Sequence, residues 1–435
     1  MPKQSLATKE TPTDRKAPGA ESSLEKINGQ SIDSSKQVYN EREKKWQSFI
    51  TRTVWALIML VFFLTCLVSG HLPLILMIAM FQIMIFREII AMISEPARDK
   101  KLKWNKSLNW YFLVCTVYYV DFQSFFEFFE DSILQYRVLS ILASNHRFIS
   151  YGLYVAGFVF FVSTLQKGYY KFQFAQLCIT HTTLLLVVFQ SHLIIDNMLN
   201  GLFWFLLPAG LVIVNDVFAY ICGITFGKTQ LIAISPKKTV EGFVGAWACT
   251  SIAAVIFAHV MSNSYYLICP AVNLHTTVYN YPICEPNPVF IAQFYQIPPD
   301  LVDWVGTEIL SLKPVYFHAI ALASFASLIA PFGGFFASGL KRAFGIKDFG
   351  DTIPGHGGIT DRMDCQFLMG SFSYLYYQTF ISTNTMSIGK ILQLAILNLN
   401  VTEISLLIKS LLKYINNAGV LTDEKYKAII ELLEG

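Results

Sequence analysis

Long apolar runs separated by short polar stretches dominate this chain beyond its first fifty residues. Runs long enough for a membrane span of about 20 residues cover 53–70, 72–93, 148–166, 174–193, 201–222, 243–261, 315–337 and 365–382. A shorter run at 108–120 makes nine if it also crosses. The pattern predicts an all-α polytopic membrane protein of about nine transmembrane helices, because a helix in lipid satisfies its own backbone hydrogen bonds.

The polar stretches orient those spans. Lys and Arg gather on the cytosolic side of membrane proteins, and 94–107 carries Arg98, Lys100, Lys101, Lys103 and Lys106. The 262–314 loop has one basic residue, Lys313, beside Glu285, Asp300, Asp303 and Glu308, and is expected to be lumenal. Alternation through nine spans puts 223–242 and 338–364 on the same side as 94–107, and both carry several basic residues. Cys269 and Cys284, the two cysteines of the lumenal loop, could pair in an oxidising compartment.

The flanks differ from the middle. Residues 1–50 hold nine Lys or Arg and seven Asp or Glu with almost no apolar clusters. Such a segment cannot bury enough surface to offset its ordering entropy, so 1–49 is expected to be a disordered cytosolic tail. It has no apolar stretch ending in a small-residue cleavage site, and no cleavable signal peptide is expected. The polytopic domain then runs over 50–383. In the C-terminal tail, 384–435, Ile388, Leu392, Ala395 and Ile396, then Ile404, Leu407, Ile408, Leu411 and Leu412, recur at helical spacing. This predicts an amphipathic helical tail, either lying on a membrane surface or packed as a cap on the protein. Asn400-Val-Thr is a glycosylation sequon that matters only if this tail is lumenal.

Composition agrees with the pattern. AVILMFWYC make up 54% of the chain, charged residues 14%, and mean hydropathy is +0.45, against roughly a quarter charged in soluble domains. A disordered protein and a secreted disulfide scaffold are excluded, and a soluble enzyme is disfavoured. The net charge of +3 is too small to argue for a nucleic-acid partner.

The polar chemistry is bunched. Residues 338–364, SGLKRAFGIKDFGDTIPGHGGITDRMD, hold six Gly, the basic Lys341, Arg342, Lys347 and Arg362, His356, and Asp348, Asp351, Asp361 and Asp364. Each type suits a nucleoside triphosphate. Lys and Arg neutralise phosphate oxygens. Gly lets backbone N–H groups approach a phosphate. Aspartates hold Mg²⁺ together with substrate phosphates and waters. Asp361 and Asp364, three apart, would share one face of a helix. A second concentration covers 215–242, with Asp216 inside an apolar run, where an unpartnered carboxylate is costly. It faces either a hydrogen-bonding neighbour or a metal or water-filled cavity. Arg87-Glu88, late in the second apolar run, reads first as an ion pair snorkelling toward the cytosolic interface, with a role at the site as the minority reading.

Ser338, Lys341-Arg342, Lys347-Asp348, Pro354, His356-Gly357-Gly358, Asp361-Arg362 and Asp364 stand at intervals that resemble the signature of the phosphatidate cytidylyltransferases, or CDP-diacylglycerol synthases, in their eukaryotic branch. Asp216 to Tyr220 and Ser235-Pro-Lys-Lys-Thr with Glu241-Gly242 are similar to a second block of that family. The resemblance spans roughly residues 50–400. It implies transfer of CMP from CTP to phosphatidate, in the endoplasmic reticulum membrane, by a multi-pass homodimer whose active site faces the cytosol.

It also implies roles. Asp361 and Asp364 would hold one or two Mg²⁺ ions, with Asp216 and Asp348 as further candidates. Lys341, Arg342, Lys347 and Arg362 would hold the triphosphate, the leaving pyrophosphate and the lipid headgroup. His356 would bond a phosphate or brace the Gly-Gly turn. Ser338, Lys228, Ser235, Lys237, Lys238, Thr239, Glu241, Gly357 and Gly358 would contact substrate. One departure is Gly334, where bacterial relatives carry an Asp. Asp216 or Asp348 would then supply the missing carboxylate. Two other readings stay open: another membrane CTP-dependent enzyme such as a polyprenol kinase, and a polytopic lipid transporter, although no matching halves are visible.

Overall fold

The computed structural model describes residues 49–93, 104–121, 145–271, 276–281, 283–296, 308–382 and 399–419, with isolated positions beside them. The expected tail 1–49 lies almost wholly outside the described residues, as do 94–101 and 383–394. The chain forms two compact units, Met1–Tyr377 and Gln378–Gly435.

The first unit is helical. In chain order it contains α1 (Phe49–Ser69), α2 (His71–Ile93), α3 (Asn105–Val120), α4 (His146–Ser163), α5 (Tyr170–Leu199) and α6 (Leu202–Phe226). A short hairpin follows, β1 (Gln230–Ile232) with β2 (Ser235–Thr239), then α7 (Val240–Met261). A second hairpin, β3 (Gln293–Gln296) with β4 (Ile309–Leu312), precedes α8 (Val315–Leu328), α9 (Pro331–Ala343) and α10 (Thr360–Phe380). All nine expected runs are thus helical. Among the described residues six segments are long and apolar enough to cross a bilayer: α1, α2, α5, α6, α7 and the α8–α9 pair. At 1.5 Å per residue the 16-residue α3 falls short of a hydrocarbon core of about 30 Å, and α10 opens on Asp361, Arg362 and Asp364.

Helix α2 is the central element, because it is apolar on two sides. Leu74, Met77, Ile78, Ile85 and Ile89 pack with Val187, Ile194 and Met198 of α5 and with Phe349, Ile359 and Phe367 near the start of α10. Phe86, Ile90 and Ile93 pack with Leu108, Phe112 and Leu113 of α3 and with Leu184 and Val188 of α5. By contrast α1 buries almost none of its apolar surface in the protein.

A proline ties α10 to α6. Pro208 lacks the N–H that would bond the Trp204 carbonyl one turn back. Asn197 Nδ2 donates to that carbonyl at 2.5 Å and Ser373 Oγ of α10 donates at 3.1 Å. Five residues on, Gln366 Nε2 of α10 donates to the Ala209 carbonyl at 3.2 Å. The two helices therefore run antiparallel, bringing Asp216 of α6 toward the first turn of α10.

At the other end of α6 the loops are cross-linked. Cys269 and Cys284 form the disulfide that their shared loop allowed, with a Cα–Cα distance of 5.8 Å. Lys313, the only basic residue of 262–314, donates to Ser262 Oγ and Asn263 Oδ1, joining the end of α7 to the start of α8.

The second unit contains α11 (Val401–Asn417), closed at its start by a capping box between Asn400 and Glu403. None of its residues is buried. The sequon Asn400 is the capping residue, its Oδ1 accepting from the Glu403 amide.

Candidate active site

The site begins with the loop between α9 and α10. Its glycines let the backbone double back: Gly355 and Gly357 have φ of +78° and +81°, a region open to Gly without steric cost. Ile353 and Gly357 exchange backbone hydrogen bonds of 2.9 and 3.1 Å. Arg362 Nε and Nη2 donate to the His356 carbonyl at 3.3 and 2.9 Å, pinning the loop to the first turn of α10. His356 Nδ1 is buried without a hydrogen-bond partner among the described residues.

The last turn of α9 faces the first turn of α10. Lys341 Nζ lies 2.5 Å from Asp361 Oδ1, and the side chains are only 13% and 8% exposed. The other Asp361 oxygen accepts from the Phe349 amide at 3.1 Å, and Lys341 stands 5.4 Å from the centre of the Phe349 ring. Asp361 thus spends both oxygens inside the protein. Arg342 and Lys347 are exposed around the same turn, and Ser338 is half-buried one turn before Lys341. Asp348 is exposed, and Gly357 lies between it and Asp361.

Glu88 corrects the sequence reading. Its side chain does not snorkel to an interface; the residue is 4% exposed and faces this loop. Ile359 N–H donates to Oε1 at 3.0 Å, and Thr360 N–H and Oγ1 donate to Oε2 at 2.9 and 2.7 Å. Thr352 Oγ1 also donates to Oε1. The available signal was an ionisable residue inside an apolar run; its nearness to the run's end made it look interfacial.

The second polar concentration arrives from α6, the β1–β2 hairpin and α7. Asp216 Oδ1 lies 4.0 Å from Lys238 Nζ, with the side chains 57% and 45% exposed. Asp216 also feels the charge of Arg362, and Asp364 feels those of Asp216 and Lys341. Asp216, Lys238, Arg362, Asp364, Lys341 and Asp361 thus form one electrostatic cluster. Thr239 and Glu241 serve the local backbone. Thr239 Oγ1 accepts from the Gly242 amide at 3.2 Å as the N-cap of α7. Glu241 accepts from the amides of Lys228 and Thr229 at 3.0 and 3.1 Å and from Thr229 Oγ1 at 2.8 Å. Lys228 is exposed and Ser235 half-buried on the same hairpin, while the side chain of Lys237 lies outside the described residues.

Asp364 sits where α9 comes closest to α10. A side chain at Gly333 would meet the Asp364 carbonyl at 2.4 Å, and one at Gly334 would lie 3.4 Å from Asp364 Oδ2. Gly334 therefore faces Asp364, and Asp216 brings a carboxylate from α6 to the same place. Asp364 Oδ1 accepts from the Cys365 amide at 2.8 Å, leaving Oδ2 toward Gly334. No group of three or more His, Cys, Asp or Glu is arranged to hold a metal among the described residues. Mg²⁺ takes one or two carboxylates while phosphates and waters complete its shell, so exposed Asp216 and half-buried Asp364 fit such an ion. An open apolar groove of about 510 Å³ runs along α9, lined by Ile234, Phe332, Phe335, Phe336 and Leu340.

Comparison with known proteins extends this picture. The cytidylyltransferase family matches residues 50–380. The chain is 52% identical over 391 residues to a phosphatidate cytidylyltransferase of Saccharomyces cerevisiae, covering 90% of this chain and 86% of that one. It is 42% identical over 379 residues to phosphatidate cytidylyltransferase 1 of Arabidopsis thaliana, covering 86% and 89%. With the human phosphatidate cytidylyltransferase 1 it shares 43% identity over 347 residues, covering 80% and 75%.

Proposed function

The chain belongs to the cytidylyltransferase family, and from that membership we propose that the cluster between α6, α9 and α10 transfers CMP from CTP to phosphatidate. The products are CDP-diacylglycerol and pyrophosphate. The observation that carries the reading is that Lys341, Asp361, Arg362 and Asp364 of one polar segment meet Asp216 and Lys238 of the other, in a protein with helices long and apolar enough to span a membrane. A lipid phosphate and a nucleoside triphosphate, both anionic, need such a set of cations and carboxylates on a membrane protein. A kinase of neutral lipid alcohols and a lipid transporter are set aside with the family.

The chemistry follows from charge. A phosphatidate phosphate oxygen attacks the α-phosphorus of CTP, the α–β phosphoanhydride bond breaks, and pyrophosphate leaves with the bonding electrons. The nucleophile is already ionised at neutral pH, so no general base is needed. Catalysis is positioning and charge neutralisation of an in-line displacement. Arg342, Lys347, Arg362 and Lys238, all exposed at the mouth, suit the triphosphate and the leaving pyrophosphate. Lys341, held in place by Asp361, suits the phosphatidate headgroup. His356 Nδ1, buried and unpartnered, suits a phosphate oxygen. Gly357 and Gly358 keep the loop narrow enough to close on it.

Asp216 and Asp364 are the residues that would hold Mg²⁺, with Asp348 exposed nearby as a further candidate and Asp361 committed to Lys341. Bound there, the ion would neutralise phosphate oxygens as charge shifts to the leaving group. We also propose that the cluster faces the cytosol of an endoplasmic reticulum membrane. The basic segments 223–242 and 338–364 share its end of the protein, and the disulfide loop lies at the other end. Assembly as a homodimer is the expectation carried by the family resemblance, and light scattering of the lipid-embedded protein would measure it.

The deciding experiment supplies the lipid-embedded protein with phosphatidate and CTP labelled at either the α- or the γ-phosphate. Label from the α-phosphate in lipid, with release of pyrophosphate, supports the reading. Transfer of the γ-label to lipid, or no transfer, overturns it.

A further inference from the structure

Helix α10 takes its first backbone partners from far away in the chain. A helix leaves its first backbone N–H groups unpaired, and here two donors at that start, Ile359 and Thr360, are taken by a carboxylate from 271 and 272 residues away. Glu88 also accepts from the hydroxyls of Thr352 and Thr360, so each of its oxygens receives two donors. A buried carboxyl inside an apolar span is costly unless its oxygens are satisfied. These are satisfied wholly by the catalytic loop and the helix it leads into.

The backbone is built to close on this group. A side chain at Gly350 would lie 3.2 Å from Glu88 Oε1, and one at Gly358 would lie 2.8 Å from Oε2. The same Gly358 position is 3.1 Å from Asp361 Oδ2. Gly358 therefore passes between two carboxylates, Glu88 on the α2 side and Asp361 on the side of Lys341. Packing reinforces the clamp, since Ile85 and Ile89 of α2 share a core with Phe349 and Ile359.

From this geometry we infer that Glu88 is a positioning residue for cytidylyl transfer: it fixes the first turn of α10, and with it Asp361, Arg362 and Asp364, against α2, a span half buried in the protein. Glu88 touches no substrate-facing group itself. It acts through the Ile359 and Thr360 amides. The inference rests on reading this site as the transfer centre. It concerns the chemical step more than binding, because the exposed cations Arg342, Lys347 and Lys238 are not held by Glu88.

The test compares wild type, Glu88→Gln and the double variant Thr352→Val/Thr360→Val in lipid nanodiscs, by amide hydrogen exchange and steady-state kinetics. Glutamine keeps the size of the side chain but replaces an oxygen that accepts two donors with an NH2 group. Losing hydrogen bonds of this kind predicts a kcat lower by about tenfold or more, with KM for CTP within about threefold of wild type. Exchange should rise across 350–361 and stay unchanged in α6 and α7. The threonine variant should move both readouts the same way by less, and adding it to Glu88→Gln should change little further. Wild-type kcat and exchange in Glu88→Gln would overturn the inference. So would a loss of activity matched by faster exchange throughout the protein, which marks a purely structural role. If Glu88→Gln fails to fold, the threonine variant decides: local exchange with lowered kcat supports the clamp, and wild-type values refute it. Absence of CMP transfer in the wild type would instead refute the functional reading, while the exchange arms still report on the clamp.

Discussion

Lys341 Nζ stands 2.5 Å from Asp361 Oδ1, in a pair largely removed from water. Each residue answers the charge of the other. Replacing one alone strands a mostly buried charge, at a cost of about 3–5 kcal/mol. Lys341→Met is therefore expected to abolish CMP transfer and to lower the melting temperature. Adding Asp361→Asn should return much of the lost stability and none of the activity. Thermal unfolding beside a labelled-CMP assay checks both, and an active Lys341→Met protein would remove this lysine from the site.

Magnesium should be required, through the carboxylates that remain open. Chelation with EDTA is expected to stop CMP transfer, and added Mg²⁺ to restore it. Asp364→Asn should raise the Mg²⁺ concentration for half-maximal rate by about tenfold or more, as outer-shell changes alone cost about 10–100-fold in metal affinity. Asp216→Asn should act in the same direction. A Mg²⁺ titration that superimposes on wild type would release either residue from this role.

The bond between Cys269 and Cys284 closes a loop with a sequence separation of 15. Loops of that size contribute about 3 kcal/mol by constraining the unfolded chain. Replacing both cysteines with serine should lower thermal stability and leave transfer per folded molecule unchanged, since the loop lies away from the cluster. Peptide mapping without reductant should recover the two cysteines as one linked pair, and free thiols would contradict the structure.

Pro208 makes a prediction of its own. With Asn197→Leu and Ser373→Ala together, the Trp204 carbonyl loses both side-chain donors, and an orphaned buried acceptor costs about 1–3 kcal/mol. Introducing Pro208→Ala into that double variant supplies a backbone N–H one turn along. Stability should then partly recover. Thermal unfolding of the three proteins decides, and a double variant as stable as wild type would show that the carbonyl finds another donor.

Parts of this site were legible residue by residue. Lys341, Asp361, Arg362 and Asp364 lie within one segment, so their types and spacing announced phosphate and cation chemistry. Asp216 stood out because a carboxylate in an apolar run needs a reason. Glu88 was visible by the same rule but was assigned to an interface, since its partner is a loop more than 260 residues away. Glu241 and Thr239 matched a family block, yet their oxygens hold the turn at Lys228 and the start of α7. Identity of residue type does not say whether an oxygen is spent on the backbone or left for a ligand.

By itself the sequence determined that this chain is helical and membrane-bound. Apolar runs of span length have one stable form in lipid, and that depends only on local order along the chain. It also determined which segment carries the chemistry, because the signature is contiguous. Only the tertiary structure decided how the chemistry is divided. Asp361 is neutralised by Lys341, Asp364 and Asp216 come close enough from α10 and α6 to feel each other's charge, and the loop is gripped by Glu88 from α2. These relations depend on which helices become neighbours. That choice is made by packing around α2 and by a few polar ties such as Ser373 to Trp204, and neither is written in the spacing of residues along any one segment.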